Sequence, residues 1–212
     1  MFKNRQDAGK KLAEALGAYK NARDTIVLGL PRGGVVIGYE VAKALGLPLD
    51  IVVPRKIGAP GNPEYAIGAI TETGEAIFNE EEVGQVDKEW LKQKMKKEKR
   101  EAQRRLTIYR PGPSPQVAGK TVILVDDGVA TGYTMRAAVA SVKARKPVKI
   151  VVAVPNGAND SMRELRREVD EVIALEIPDV YFAVGAQYEE FSQISDEEVI
   201  ELLQKTQSHN PS

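Results

Sequence analysis

The chain contains no cysteine. That excludes disulfide frameworks, thiolate nucleophiles and zinc–cysteine sites together. It has one histidine, His209, in the polar run 206–212, which argues against a histidine general base, a Ser-His-Asp triad or a multi-histidine metal site. An excess of charge is missing too: 30 Lys and Arg balance 30 Asp and Glu. The chain is therefore no general polycation for nucleic acid, although a local basic patch stays compatible with it. Long apolar runs are absent. The longest, such as Thr25–Leu30 and Thr121–Val125, fall far short of the ~20 residues that span a bilayer. Residues 1–7 lack the apolar stretch of a signal peptide, so the expectation is a cytoplasmic protein with no membrane partner. Carboxylates, hydroxyls, basic side chains and backbone amides are left to carry any chemistry.

With 212 residues, 42% apolar and 28% charged, the composition is that of one soluble globular domain. Short apolar runs at Thr25–Leu30, Leu49–Val53, Thr121–Val125, Lys149–Val154 and Val172–Leu175 alternate with helical stretches. Continuous apolar strands between helices predict an α/β fold: a five-stranded, mainly parallel sheet with helices on both faces and strand order 2-1-3-4-5. Asp7 is the expected cap of a first helix. The expected organisation is a single domain over 1–212. Its core runs from about 21 to 176 and is interrupted by an insertion at about 57–116. A small hood comes from 1–20 and 177–204, and a tail from 205–212. Within the insertion, Gly58–Pro63 reads as a loop and Ala66–Ile70 with Ala76–Phe78 as a hairpin. Asp87–Tyr109 reads as one long helix, and Pro111-Gly112-Pro113-Ser114-Pro115 stops it. Ser195 with Glu198 forms a capping box for a last helix.

Ligands of open α/β sheets bind beyond the carboxyl ends of the strands. One such place is Val122–Thr134: four apolar residues, the pair Asp126-Asp127, then a small-residue turn ending Thr131-Gly132-Tyr133-Thr134. A helix N-terminus with glycine and hydroxyls suits phosphate, and two carboxylates suit a sugar diol or hydrated Mg²⁺. Together they point to a sugar phosphate. A Walker loop would need a lysine, and a dinucleotide fingerprint would need Gly-x-Gly-x-x-Gly after the first strand; both are missing. A second turn, Pro31-Arg32-Gly33-Gly34, follows the first strand. There glycine permits close backbone approach and arginine pairs with phosphate oxygens.

Val122–Thr134 resembles the signature of the type I phosphoribosyltransferases throughout its thirteen residues. The resemblance implies that 5-phosphoribosyl 1-pyrophosphate is bound, with Asp126 and Asp127 on the ribose hydroxyls and Ala130, Thr131, Gly132, Tyr133 and Thr134 around the 5′-phosphate. It also implies Mg²⁺ as cofactor, held by Asp126 and Asp127 through water. Arg32, Gly33 and Gly34 resemble the pyrophosphate loop of xanthine-guanine phosphoribosyltransferase, and Arg55-Lys56 the basic pair that orotate phosphoribosyltransferase places on pyrophosphate. The segment 177–185 resembles the hood of hypoxanthine-guanine phosphoribosyltransferase. By that likeness Phe182 stacks on a base, with Tyr181 next. Where Ala130 stands, purine enzymes of the family often have an aspartate that contacts the base. The whole chain resembles a bacterial and archaeal group of predicted phosphoribosyltransferases, and the family is commonly dimeric.

The implied activity is transfer of phosphoribosyl from the diphosphate donor to a nitrogenous base, with Arg32, Asp126 and Asp127 as the catalytic set. Gly58–Asn62 is the expected closing loop. The alternative is a regulator that senses the same donor and binds nucleic acid. The neutral total charge argues against that alternative, and the basic helix 87–110 keeps it open. Glu98 and Glu101 of that helix are expected to pair with Lys94 and Arg105.

Overall fold

A computed structural model describes residues 1–110 and 112–207. The expectations for Pro111, for His209 and for the end of the tail lie outside the described residues. Eight strands and seven α-helices are described: α1 (Arg5–Ala15), β1 (Thr25–Gly29), α2 (Gly33–Leu45), β2 (Leu49–Ile51), β3 (Arg55–Ala59), β4 (Asn62–Ile70), β5 (Ala76–Phe78), α3 (Glu80–Val83), α4 (Lys88–Tyr109), β6 (Thr121–Val125), α5 (Tyr133–Ala144), β7 (Lys149–Asn156), α6 (Asn159–Glu168), β8 (Glu171–Glu176) and α7 (Asp196–Gln207).

The main sheet is parallel and has five strands in the order β2-β1-β6-β7-β8. Counting core strands only, this is the expected 2-1-3-4-5. Side chains alternate across a strand, so each apolar run feeds two cores. Val27, Ile123, Val125, Val151 and Ala153 pack with Ala8 and Leu12 of α1 and with Val199 and Leu203 of α7. Ile26, Leu28, Val122, Leu124, Ile150 and Val152 face the other way, onto Met135, Ala138 and Val142 of α5 and Leu165 of α6. The register Ile26↔Val122↔Ile150 holds equivalent side chains on one face. No helix among the described residues is long and apolar enough to cross a membrane.

The insertion builds a second, antiparallel sheet, β3-β4-β5. Here the structure corrects the reading of Gly58–Pro63 as a loop, because β3 and β4 form a hairpin across Ala59↔Asn62. Gly58 is required there: a Cβ would lie 2.2 Å from the Pro63 carbonyl oxygen. Ile57, Ile67 and Ile70 form a small core that Trp90, Leu91 and Met95 of α4 cover. Further along α4, Ala102 and Tyr109 join the main core. The first helix is capped by Asn4 and not by Asp7, since the Asp7 N–H donates to Asn4 Oδ1 (3.0 Å). The last helix opens on the expected capping box: the Ser195 N–H donates to Glu198 (2.8 Å) and the Glu198 N–H to Ser195 Oγ (3.1 Å).

The N-terminal residues meet the segment 187–191 over the carboxyl end of the sheet. The Phe2 N–H donates to the Gln187 carbonyl (2.8 Å), and the Glu189 N–H to the Phe2 carbonyl (2.9 Å). The rings of Phe2, Tyr188 and Phe191 follow one another at centroid separations of 5.6 and 5.1 Å.

Candidate functional site

The chain adds β2 on one side of β1 and then β6, β7 and β8 on the other, so the strand order reverses at β1 and β6 and makes their carboxyl ends a topological switch point. The loops that leave these strands, 30–33 and 126–132, lie against each other. A Cβ on Gly34 would sit 2.7 Å from the Val125 carbonyl oxygen and 2.8 Å from Asp126 Cα, and one on Gly33 would sit 1.9 Å from Asp127 Oδ2. The two glycines therefore let the loops close on each other. A cleft of about 350 Å³ opens there, lined by Arg5, Arg32, Gly33, Asp126, Asp127 and Phe191, among others.

One helix, α2, begins at this cleft, a second, α5, begins at the end of the loop that follows Asp127, and no capping side chain claims the first-turn amides of either. Arg32 is the N-cap residue of α2 and Gly132 that of α5. Gly132 has φ +79°, a left-handed conformation that favours glycine. First-turn N–H groups have no intrahelical acceptor, and the helix dipole adds positive potential, so each start is an anion site. Ala130 and Thr131 are exposed, whereas Tyr133 and Thr134 are half-buried or more. The loop is anchored from behind. Ser161 Oγ donates to the Ala130 carbonyl (2.6 Å), the Val129 N–H to the Asn156 carbonyl (3.0 Å) and the Ala158 N–H to the Val129 carbonyl (2.9 Å).

The two carboxylates have different surroundings. Asp126 accepts the Asp127 N–H (2.8 Å), and burial together with the neighbouring Asp127 charge pushes its carboxyl well above the ordinary range. Asp127 is paired. Arg5, only 7% exposed, donates Nε to Asp127 Oδ2 (2.8 Å) and Nη1 to the Ser192 carbonyl (2.7 Å), with its guanidinium 3.8 Å from the Phe191 ring centroid. The Asp127 carbonyl accepts from Tyr188 OH (2.6 Å) and Asn156 Nδ2 (3.3 Å). Asp127 thus joins the first helix, the hood and both ligand loops. No group of three or more His, Cys, Asp or Glu able to hold a metal occurs among the described residues. Two adjacent acids, one of them already engaged by Arg5, fit Mg²⁺ that keeps most of its shell as water and ligand phosphate.

The structure brings Arg32, Gly33, Gly34, Asp126 and Asp127 together, and the 130–134 loop follows Asp127 along the chain without lining the cleft. Arg32 Nη1 lies 3.6 Å from Asp196 Oδ1 at the start of α7. Tyr109 OH, raised to about 12 by burial and by this contact, donates to the same oxygen (2.6 Å). Arg55 and Lys56 do not reach the cleft. As β3 diverges from the main sheet it carries Arg55 to Glu98 of α4 (3.1 Å) and Lys56 to Glu64 (3.0 Å). Expected closing-loop residues Gly58–Asn62 lie in the β3–β4 hairpin. Phe182 is 86% exposed, its ring without an aromatic contact among the described residues. Tyr181 points inward and donates its hydroxyl to Asn156 Oδ1 (2.6 Å), and Val184 closes over Gly128. The sequence reading missed Arg5, Asn156, Tyr188 and Asp196. Their partners lie 122, 29, 61 and 87 residues away, for Asp196 counted to Tyr109, so no local spacing signals them.

The Phosphoribosyl transferase domain family matches residues 2–190. Two strains of Mycobacterium tuberculosis have a protein with a provisional phosphoribosyl transferase name. Each is 41% identical over 208 residues, covering 97% of this chain and 47% of its own length. The chain therefore spans about half the length of the curated relatives it matches. The crystal structure of TT1426 from Thermus thermophilus is 41% identical, covers 97% of this chain and 98% of that one, and superposes with a TM-score of 0.81. AQ2163 from Aquifex aeolicus shares the fold at 15% identity and a TM-score of 0.50, over 82% of this chain and 74% of that one.

Proposed function

Since the chain belongs to the phosphoribosyl transferase family, we propose that it transfers the phosphoribosyl group of 5-phosphoribosyl 1-pyrophosphate to a nitrogenous base. The bond from C1 of the ribose to the pyrophosphate oxygen breaks, and pyrophosphate leaves with the electron pair. A ring nitrogen of the base forms the new bond to C1 and gives up its proton to solvent. The observation that carries the reading is the uncapped start of α2 packed on two adjacent carboxylates at the switch point, with the uncapped start of α5, at Gly132, five residues along the chain from Asp127.

In this reading the amides of 131–134 hold the 5′-phosphate. Asp126, beside the cleft, accepts from the ribose hydroxyls. Asp127, neutralised and aimed by Arg5, supports it from the second position. Arg32 and the amides of Gly33 and Gly34 take the departing pyrophosphate, where charge develops. To do so Arg32 exchanges Asp196 for the ligand, a small cost at a 3.6 Å, partly exposed contact. Mg²⁺, when bound with the donor, neutralises pyrophosphate charge. The exposed Phe182 ring offers a stacking face for the base. With Ala130 in place of a carboxylate nothing there selects one ring edge, so the reading favours a permissive or an uncommon base.

Incubation with the donor, Mg²⁺ and a panel of bases, read by mass spectrometry, tests the proposal. A nucleoside monophosphate that forms only with its base supports it. Ribose 5-phosphate formed regardless of base, or no turnover with any base, counts against it.

A further inference from the structure

The basic helix takes no part in the cleft, and the residues around it make a second feature. α4 carries nine basic residues (Lys88, Lys92, Lys94, Lys96, Lys97, Lys99, Arg100, Arg104, Arg105) against three acidic ones (Glu89, Glu98, Glu101). Two of the acids are spent on orienting cations. Glu98, 6% exposed, holds Lys94 (2.9 Å) and Arg55 (3.1 Å), and Glu101 holds Arg104 (2.8 Å) and Arg105 (2.9 Å). Lys96, Lys97 and Arg100 have no ion-pair partner among the described residues. Together with Arg55, Gln93, Arg104 and the two cation-bound acids Glu98 and Glu101 they line a groove of about 620 Å³, which has no apolar residue on its walls and shares no residue with the cleft. Across Lys96 the groove meets a second hollow of about 420 Å³. There Lys88, Lys92 and Lys99 surround a floor of the half-buried Leu91 and Met95, with buried Ile70 beneath them.

From these two hollows we infer that α4 is a track for single-stranded RNA, with the backbone on the cations and bases on the apolar floor. Length agrees with this. From Lys88 to Arg104 the helix rises about 24 Å at ~1.5 Å per residue. A stacked strand places one phosphate every ~3.4 Å, so about seven phosphates fit that length. Cations recurring along about 24 Å match a chain of phosphates better than a compact anion. A membrane surface is disfavoured, because the apolar side of α4 packs on the small sheet and the main core and leaves only the edge of Leu91 and Met95 open, too little to enter a bilayer. Inorganic polyphosphate would leave the Leu91–Met95 floor without use. The inference stands apart from the proposed transfer reaction, since the two sites have no side chain in common.

Fluorescence anisotropy of a labelled uridine dodecamer with the full chain tests it, titrated from about 50 to about 300 mM KCl. The three unpaired groove cations, Lys96, Lys97 and Arg100, predict log K falling against log salt with a slope of about −2.1, from ~0.7 per phosphate neutralised on a single strand. Lys97→Gln with Arg100→Gln, both exposed, should flatten the slope by about 1.4 and weaken binding at about 100 mM KCl by on the order of tenfold. Lys10→Gln with Lys143→Gln, exposed lysines of α1 and α5, should change neither. No anisotropy change at the lowest salt would overturn the inference, as would an unaltered slope in the groove variant. Displacement of the RNA by inorganic polyphosphate as readily as by unlabelled RNA would overturn the assignment to RNA. Donor binding, measured alongside, should be equal in all variants.

Discussion

Arg5 is the side chain on which the candidate site rests most heavily, and replacing it with alanine is the sharpest perturbation of the scaffold. The change removes an ion pair of 2.8 Å to Asp127, a hydrogen bond of 2.7 Å to the Ser192 carbonyl and the guanidinium over Phe191. Deleting one partner of a buried pair costs ~3–5 kcal/mol, because the other charge stays behind unpaired. Asp127 borders the cleft and can recruit water, which places the expected loss near the lower end, about 3 kcal/mol. For a chain of this size that is a fall in Tm of roughly 6–12 °C, at ~2–4 °C per kcal/mol. Arg5→Lys keeps the charge but not the planar fork or the stacking, and should recover only part of it. Urea unfolding of Arg5→Ala, Asp127→Ala and the double variant forms a cycle, and the expected coupling is about 2–3 kcal/mol. A loss under about 1 kcal/mol in Arg5→Ala, or additive single effects, would refute the view of Asp127 as a charge held by the first helix.

Asp126 makes a pH prediction. An acid whose pKa is raised by folding costs no stability below its ordinary value near ~4, and stability then falls as pH rises through the raised one. Asp126→Asn should therefore match the parent chain near pH ~4 and exceed it increasingly towards pH ~8 in denaturant unfolding; a constant difference across that range contradicts the burial argument. Gly34→Ala should destabilise by roughly 1–3 kcal/mol and weaken donor binding, since its Cβ would meet backbone atoms of Val125 and Asp126 that cannot rotate away; unchanged stability would mean that the two loops are free to separate. Phe182→Ala should weaken base binding by roughly 1–3 kcal/mol, the range for stacking, and leave donor binding and Tm unaltered. Full base affinity in that variant would remove the ring from the site.

The main sheet was legible because a strand buried on both faces must be apolar throughout, and Ile26–Leu28, Val122–Val125 and Ile150–Val154 are. The ligand loops were legible for a related reason: Asp126-Asp127 and Gly33-Gly34 break those runs with residues that a sheet end alone does not call for. The glycines turned out to answer a demand for loop-to-loop contact as well as backbone approach to a ligand. β3 was not legible. Its Gly58, Pro60 and Gly61 read as a loop, and only the close passage of Pro63 explains a glycine inside a strand. Arg55 and Lys56 follow a core strand just as a pyrophosphate-binding pair would, and nothing local reveals that the chain turns there towards α4. Asn4 and Asp7 are both acceptable caps, and the choice between them depends on where Phe2 is pinned by the hood.

The central claim is that the cleft recognises a ribose carrying phosphate at one end and pyrophosphate at the other. Calorimetric titration of the chain and of Arg32→Ala with 5-phosphoribosyl 1-pyrophosphate and, separately, ribose 5-phosphate, both with Mg²⁺, tests it most directly. The account predicts that the parent chain binds both ligands, and that Arg32→Ala weakens the diphosphate donor by roughly 1.5–3 kcal/mol while ribose 5-phosphate binds as before. Absence of donor binding by the parent chain, or equal weakening of the two ligands by Arg32→Ala, would contradict it.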